Sequence, residues 1–477
     1  MLFRSARKQN GYERNGDGFT EIGRLSAESV GFNVFAKPTK NGELTGYLHR
    51  IHEDRRGGDS LSKPSHQAMI SEAAESYRWG GNIKYAHTVS KDLYLETGYS
   101  FALADRQSYY GANQDPNAYG STDNPTSVVT GKLNYTLGSH LATVGFSHNT
   151  EKLKDMAPSY NRIVDDEYTD FGVFLQDQYT FRDRLTLVAG ARVDRHSLLD
   201  DPVVSPRVSA MYKLNDELKL RGSVSTGFKA PQVFDEDLHI TQGNGEGQVS
   251  RNSTGREEEK SVSFSGTLDY MKVFGSFGVQ AGITGFHTVL DDQFQIVEAD
   301  DPSTDQYEFE RRNGDGLTVS GVELQAGYRT RRIFEIQGNF TFQSDELDSP
   351  EPDFSTTRLF RTPEQYGSLT TFIRPDKRWS FFVGLNYTGS MKAPHYAGYI
   401  ATDRLETTDP FLTLDLGATV CLIHTNSGKG ETQLRFGVKN ATDSYQDDFD
   451  KGVDRDAGYV YGPASPRMWY VGTSIGL

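Results

Sequence analysis

The sequence predicts an all-β fold, a transmembrane antiparallel β-barrel, and three observations carry that reading. Segments of about ten residues alternate apolar with small or polar side chains, the length of a tilted crossing rather than of the ~5–6 residues usual in soluble strands. Their connections alternate between short turns and long polar stretches, as they do when turns lie on one side of a membrane and loops on the other. No run approaches the ~20 apolar residues that a spanning helix needs. The composition agrees: of 477 residues 36% are apolar, while aromatics reach 12%, with 25 Tyr, 28 Phe and 48 Gly. That is too aromatic for a disordered chain and too polar for a bundle of membrane helices.

The strands follow in order. "LTLVAGARVDRH" puts Leu185, Leu187, Ala189, Ala191 and Val193 on one face, against Thr186, Arg192, Asp194 and His196. "SVSFSGTLDY" and "FLTLDLGATV" repeat the pattern. "WSFFVGLNYTGS" sets Trp379, Phe381, Val383, Leu385 and Tyr387 opposite Ser380, Gly384, Asn386 and Thr388. "ETQLRFGVKN" opposes Leu434, Phe436 and Val438 to Gln433, Arg435 and Lys439, and the chain closes on "SPRMWYVGTSIGL". Side chains alternate faces along a strand, so the charged face must meet a wet lumen. A cation facing mid-bilayer costs roughly 2–4 kcal/mol.

Short turns read as "TKNGE", "VSKD", "LGS", "FRDR", "LNDE", "RTRR" and "RPDK". Long polar segments lie at 54–76, 108–126, 152–168, 229–259, 291–316, 344–365, 391–410 and 440–464, with a shorter one near 198–204. The count is about nineteen strands, the first near 29–38 and the last near 467–477. Residues 1–26 read as a lead-in and loop and 27–477 as the barrel. Termini on one side of the membrane require an even count, so an odd number of strands, one or three, is expected ahead of residue 1. No apolar core or small-residue cleavage site opens the chain.

A formal charge of −15 leaves no basic stripe for nucleic acid. One cysteine, Cys421, allows neither an internal disulfide framework nor a Cys-based zinc site. No H-E-x-x-H occurs, and the one G-x-S-x-G match, Gly472 to Gly476, lies inside the closing alternating strand, so no enzyme or cofactor is predicted. "ERNGDGFTE" places Glu13, Asn15 and Asp17 before Gly18, as a calcium loop would, but Arg24 stands where the twelfth-position acid belongs. A tight turn explains the same residues.

Several motifs together resemble one family. "SPRVSAMYKLNDELKLRGSVSTGFKAPQVFDEDLH", "GVKNATDSYQ" and "GPASPRMWYVGTSIGL" are similar to the barrel of TonB-dependent outer-membrane receptors. "HEDRRGG", "SYYGANQDPNAYG" and "FDKGVDRDAGYVYGP" resemble its cobalamin and ferric-siderophore branch, and the likeness covers nearly all of 12–477. The resemblance implies a 22-strand barrel filled by an N-terminal plug, a TonB box, and active uptake of a bulky scarce nutrient such as a ferric siderophore, haem or cobalamin. No segment of this chain looks like the plug or the box, so contact with the TonB complex is expected through a missing N-terminal region. The family usually ends on an aromatic residue; this chain ends on Leu477. The alternative class is a passive pore or adhesin-like barrel, for which the chain would be nearly whole.

Ligand contacts are expected on the long loops. "KAPQVFDEDLHI" groups Asp235, Glu236, Asp237 and His239, either a polar grip on a metal chelate or a solvated acidic loop. Tyr109 and Tyr110, and Tyr396 and Tyr399, suit packing against a bulky ligand or a girdle at the lipid headgroups. Arg55 and Arg56 suit siderophore carboxylates or anionic lipopolysaccharide.

Overall fold

A backbone crossing a bilayer must satisfy its own N–H and C=O groups, and this chain does so with one long ladder. The computed structural model describes residues 2–234, 238–243, 246–253, 255–298, 308–424, 431–463 and 465–476. Among them, twenty strands form a single sheet. They are β1 Leu2–Gln9, β2 Arg24–Thr39, β3 Gly42–Gly58, β4 Ile70–Thr88, β5 Leu93–Ala112, β6 Tyr119–Leu137 and β7 His140–Ala157. Next come β8 Arg162–Phe181, β9 Leu185–His196, β10 Val203–Lys213, β11 Leu218–Lys229, β12 Glu259–Phe274, β13 Phe277–Asp291 and β14 Leu317–Thr330. The last are β15 Phe334–Leu347, β16 Gln365–Ile373, β17 Trp379–Thr388, β18 Phe411–His424, β19 Glu431–Lys439 and β20 Met468–Gly476. Each strand pairs antiparallel with its sequence neighbour, from β1 with β2 through to β19 with β20. Short strands in the loops make two further small sheets.

The alternation seen in the sequence becomes two continuous surfaces. On one, Val193 lies between Val173 and Val204, Leu385 between Leu369 and Leu414, and Phe436 between Ala418 and Val471. Large apolar side chains on this face stay exposed on strand after strand, Phe32, Trp79, Val173, Val208, Phe381 and Val471 among them. An exposed apolar surface running round a whole sheet marks contact with something apolar. The opposite face is polar. Hydroxyls bond across strands there, Ser223 to Ser265 at 2.7 Å and Thr267 to Thr284 at 3.0 Å. Glu96 sits between Lys84 at 3.5 Å and Lys132 at 3.3 Å, and Arg221 pairs with Asp269 at 2.7 Å.

Two expectations are corrected. The sheet has twenty strands, not about nineteen, because residues 2–9 form β1 inside the stretch read as lead-in. "LFRSARKQ" spreads its charges over both faces, so it shows no apolar stripe. With β1 counted the number is even, and parity no longer requires an odd number of strands before residue 1. The segments 54–76, 108–126 and 152–168 are also not loops for most of their length. β3, β5 and β7 run on to Gly58, Ala112 and Ala157, leaving connections of only a few residues at 113–118 and 158–161. The apolar alternation stops short of the strand ends; the hydrogen-bonded ladder does not.

The two faces carry opposite tolerance for charge. Leu385→Arg should lower folding stability in lipid bilayers by about 2–4 kcal/mol, while Asn386→Arg, one residue along on the polar face, should leave it within about 0.5 kcal/mol. Denaturant unfolding of both variants in vesicles measures the difference, and equal losses would contradict the assignment of faces.

Candidate ligand-binding mouth

Strand lengths shape the loop end. β3 to β8 contain 17 to 20 residues, well beyond the ~9–11 of a crossing, whereas β16, β17, β19 and β20 have 9 or 10. One side of the mouth is thus a tall wall, and the connection from β11 to β12 folds against it. Leu238 packs on Leu153 and Tyr168, and Ile240 on Tyr109, Tyr110 and Tyr160, all buried. Polar ties fix the same segment. Arg162, itself buried, pairs with Asp155 at 2.8 Å and donates to the Leu238 carbonyl at 2.9 Å. Thr122 donates to the second Asp155 oxygen at 2.6 Å. The Val233 amide donates to the Tyr168 hydroxyl at 3.2 Å. His239 Nε2 meets Glu72 at 2.9 Å while its ring stands edge-on to Tyr110 at 5.0 Å. A cavity of about 270 Å³ remains beneath this segment, lined in part by Arg78, Arg106, Asn124, Glu151 and Leu238.

On the other side the loop from β19 to β20 grips the loop from β1 to β2. Asp17 pairs with Arg455 and accepts the Gly452 amide at 2.8 Å. The Arg455 guanidinium lies 4.4 Å over Phe19, and that of Arg14 lies 2.9 Å over Tyr445. Gly16 and Gly18 adopt φ of 78° and 86°, values that favour glycine, and so bend "NGDG" into the turn that presents Asp17. The tight turn that the sequence also allowed is formed here. Glu13 accepts the Gly16 and Asp17 amides and Asp17 accepts the Phe19 amide, so these carboxylates serve the turn. Among the described residues no three His, Cys, Asp or Glu side chains are placed to hold a metal ion.

The 389–410 loop joins this group. His395 is buried, stacks on Tyr459 at 3.7 Å and bonds Asp450 at 3.0 Å. Tyr459 and Tyr461 both donate to Asp448, at 2.8 and 2.6 Å; burial, then that carboxylate, pushes both phenols up. Burial raises the Glu21 carboxyl as well. Between this assembly and the inner ends of β1 to β4 opens a pocket of about 660 Å³. Arg7, Arg24, Arg55 and Arg455 line it, with Glu21, Glu72, Phe19 and Tyr459. Its size suits a drug-sized or larger ligand, and its arginines outnumber its nearest carboxylates on the β-sheet side.

The sequence-predicted residues divide accordingly. Arg55 lines the pocket, paired to Glu53 at 2.6 Å. Arg56, on the opposite face of β3, is 3% exposed and donates to the Gly57 and Asp59 carbonyls. Tyr109 and Tyr110 are 1% and 5% exposed. Tyr109 donates to the Asp115 carbonyl at 2.9 Å, and the Tyr110 carbonyl accepts the Tyr160 hydroxyl at 2.5 Å. Both rings are covered by the chain itself, touching neither open mouth nor lipid. His239 joins Tyr110 to the pocket wall at Glu72. Tyr396 and Tyr399 lie on the 389–410 loop, Tyr396 37% and Tyr399 51% exposed. Tyr396 packs on Phe354 at 5.6 Å, and burial with Asp353, Glu351 and Asp456 pushes its phenol up to about 12. Asp235, Glu236 and Asp237 lie outside the described residues. Sequence reading missed Arg7, Glu72, Arg162 and Arg455 and named Asp17 only as part of a calcium-like loop or tight turn. Arg455 had a signal too, since it lies within "FDKGVDRDAGYVYGP".

With this geometry in hand, likeness to known proteins is informative. A family profile described as TonB dependent receptor-like, beta-barrel, matches residues 8–441. The iron-regulated outer membrane virulence protein of Vibrio cholerae is 25% identical over 343 residues, which is 70% of this chain and 50% of that protein. The chain thus spans about half the length of the curated relatives it matches. Among solved structures, the ferric enterobactin receptor of Pseudomonas aeruginosa superposes with a TM-score of 0.75 at 16% identity, covering 98% of this chain and 72% of that one. The siderophore receptor PirA of the same organism gives 0.71 at 16%, covering 100% and 73%. At such identities the likeness is one of fold.

The Arg162–Asp155 pair is a removable tether. Breaking a buried pair from one side costs about 3–5 kcal/mol, and here the cost should fall on the 230–240 segment. In Arg162→Met, hydrogen exchange of peptides spanning that segment should quicken at least tenfold, with β9 unchanged. Unaltered exchange would mean that Leu238 and Ile240 hold the segment unaided.

Proposed function

The chain belongs to the family of TonB-dependent receptor-like β-barrels of the outer membrane, and from that premise we propose that it is the barrel of a receptor importing a ferric siderophore. The family is one of receptors and transporters, not enzymes. The observation that carries the reading is the mouth pocket. Arg7 and Arg55 point into it from the sheet, Phe19 and Tyr459 supply ring surface, and loops tied by Asp17, Arg455 and His395 shape its rim. Ferric siderophores are bulky, oxygen-rich and commonly anionic; guanidinium groups meet such oxygens in pairs. A V. cholerae relative named for iron regulation and neighbours named as siderophore receptors support iron over cobalamin or haem.

The finer architecture belongs to the same proposal. The sheet closes into a barrel of 22 strands filled by a plug, and TonB acts through that plug region. Support comes from the Asp17–Arg455 clasp, which joins the first long loop to the last and so draws the two ends of the sheet together at the rim. Further support is the share of relatives that this chain spans. Within that barrel Arg55, His239, Tyr396 and Tyr399 are the proposed ligand contacts, with Asp235, Glu236 and Asp237 on the adjoining loop. Arg56, Tyr109 and Tyr110 act beneath them by holding the wall.

Uptake assays test this in cells expressing the gene with its natural upstream sequence and no other receptor of the class. Radioactive iron on catecholate and hydroxamate chelators, haem and cobalamin form the panel. One ferric chelate should accumulate, and Arg7→Ala with Arg55→Ala should weaken its binding about tenfold, equivalent to ~1.4 kcal/mol. Accumulation of none of them, or unchanged binding in the variant, would contradict the proposal.

A further inference from the structure

On the exposed apolar face, at its upper edge on β2 to β4, stands a cation out of keeping with its surroundings. Arg50 pairs across the ladder with Val30 and Trp79, both exposed. Leu48, next on the same face of β3, opposes Phe32 and Gly81, and below them Ile83 opposes Tyr99. Arg50 is therefore the first charge above a continuous apolar track. Its guanidinium lies 5.5 Å over the Tyr77 ring and 5.9 Å over that of Trp79. The neighbouring basic side chains of β2 and β3 are committed: His52 is stacked on Tyr77 at 4.4 Å and bonded to Glu75 at 3.0 Å, and Arg24 pairs with Asp54 at 3.6 Å. Tyr77 donates to the same Glu75 at 2.8 Å. Arg50 makes no ion pair among the described residues.

We propose that Arg50, seated on Tyr77 and Trp79, is a binding site for the phosphate of an anionic membrane lipid whose acyl chain lies along Leu48, Phe32 and Ile83. Lying over both rings, the guanidinium is restricted before the ligand arrives, which reduces the ordering cost of binding. Its free N–H groups match two phosphate oxygens. The apolar track directly beneath selects an amphiphile over a soluble anion, since a headgroup at Arg50 places its chains against side chains that already face the hydrocarbon. The inference rests on the lipid-facing assignment of this surface and is independent of which nutrient the receptor carries.

The test uses the protein extracted from outer membranes and placed in bilayer discs of equal parts phosphatidylglycerol and phosphatidylcholine. Native mass spectrometry should find phosphatidylglycerol retained at least fivefold over phosphatidylcholine. Arg50→Gln should abolish that preference, and Arg50→Lys, which keeps the charge and safeguards folding, should reduce it severalfold. Lys84→Gln, on the polar face, should leave it intact. Heat-modifiable migration confirms that each variant is folded. Retention of the preference in folded Arg50→Gln would overturn the proposal. So would displacement of the lipid by millimolar inorganic phosphate, which would make this a site for soluble anions.

Discussion

The structure depends on one constraint: a strand in hydrocarbon has no water to satisfy its backbone. Every strand from β2 to β19 is paired on both sides, so the ladder supplies what the solvent cannot. Side chains then sort themselves by the period of two, apolar on one face and polar on the other. Slipping any strand by one residue would send its charges into lipid, so the register is strongly fixed. The rows through Val193, Leu385 and Phe436 are that register made visible.

From this rigid wall the mouth is assembled by contacts of a different kind. Above the belt, apolar burial and buried ion pairs return, because both faces now meet water or protein. Leu238 and Ile240 fold onto the tall wall as core residues of a small domain would, and Arg162 with Asp155 ties them down. Across the opening, Asp17, Arg455, His395 and Asp450 link three loops into one rim. The pocket between them owes its shape to loops but its arginines Arg7 and Arg55 to strands, a division that holds the charge steady while leaving the rim free to vary.

Much of the belt was legible in the sequence, since alternation is a direct imprint of two solvents on one strand. "WSFFVGLNYTGS" and "ETQLRFGVKN" became β17 and β19 with the predicted faces. What alternation cannot report is a strand with water or protein on both sides. That is why the upper ends of β5 to β8 read as loops, while β1 was overlooked because its charges fall on both faces. The same holds for "SYYGANQDPNAYG", read as part of a long polar segment: the continued ladder puts Tyr109 and Tyr110 at the end of β5, in the wall against which Ile240 packs. Arg55 was singled out because adjacent arginines stand out; Arg7, Glu72 and Asp17 became neighbours only through pairings spanning dozens to hundreds of residues, which no local pattern encodes.

The central claim is that one face of the sheet meets hydrocarbon and the other meets water. Nitroxide labels placed singly at consecutive positions from Ala191 to His196 and from Phe382 to Tyr387, in the protein reconstituted into vesicles, test it directly. Molecular oxygen, which partitions into lipid, should relax the labels at Val193, Val383 and Leu385 most strongly. A water-soluble nickel complex should favour Arg192, Asp194, Gly384 and Asn386, the two profiles running out of phase with a period of two. Equal access of the nickel complex to both sets would contradict the account.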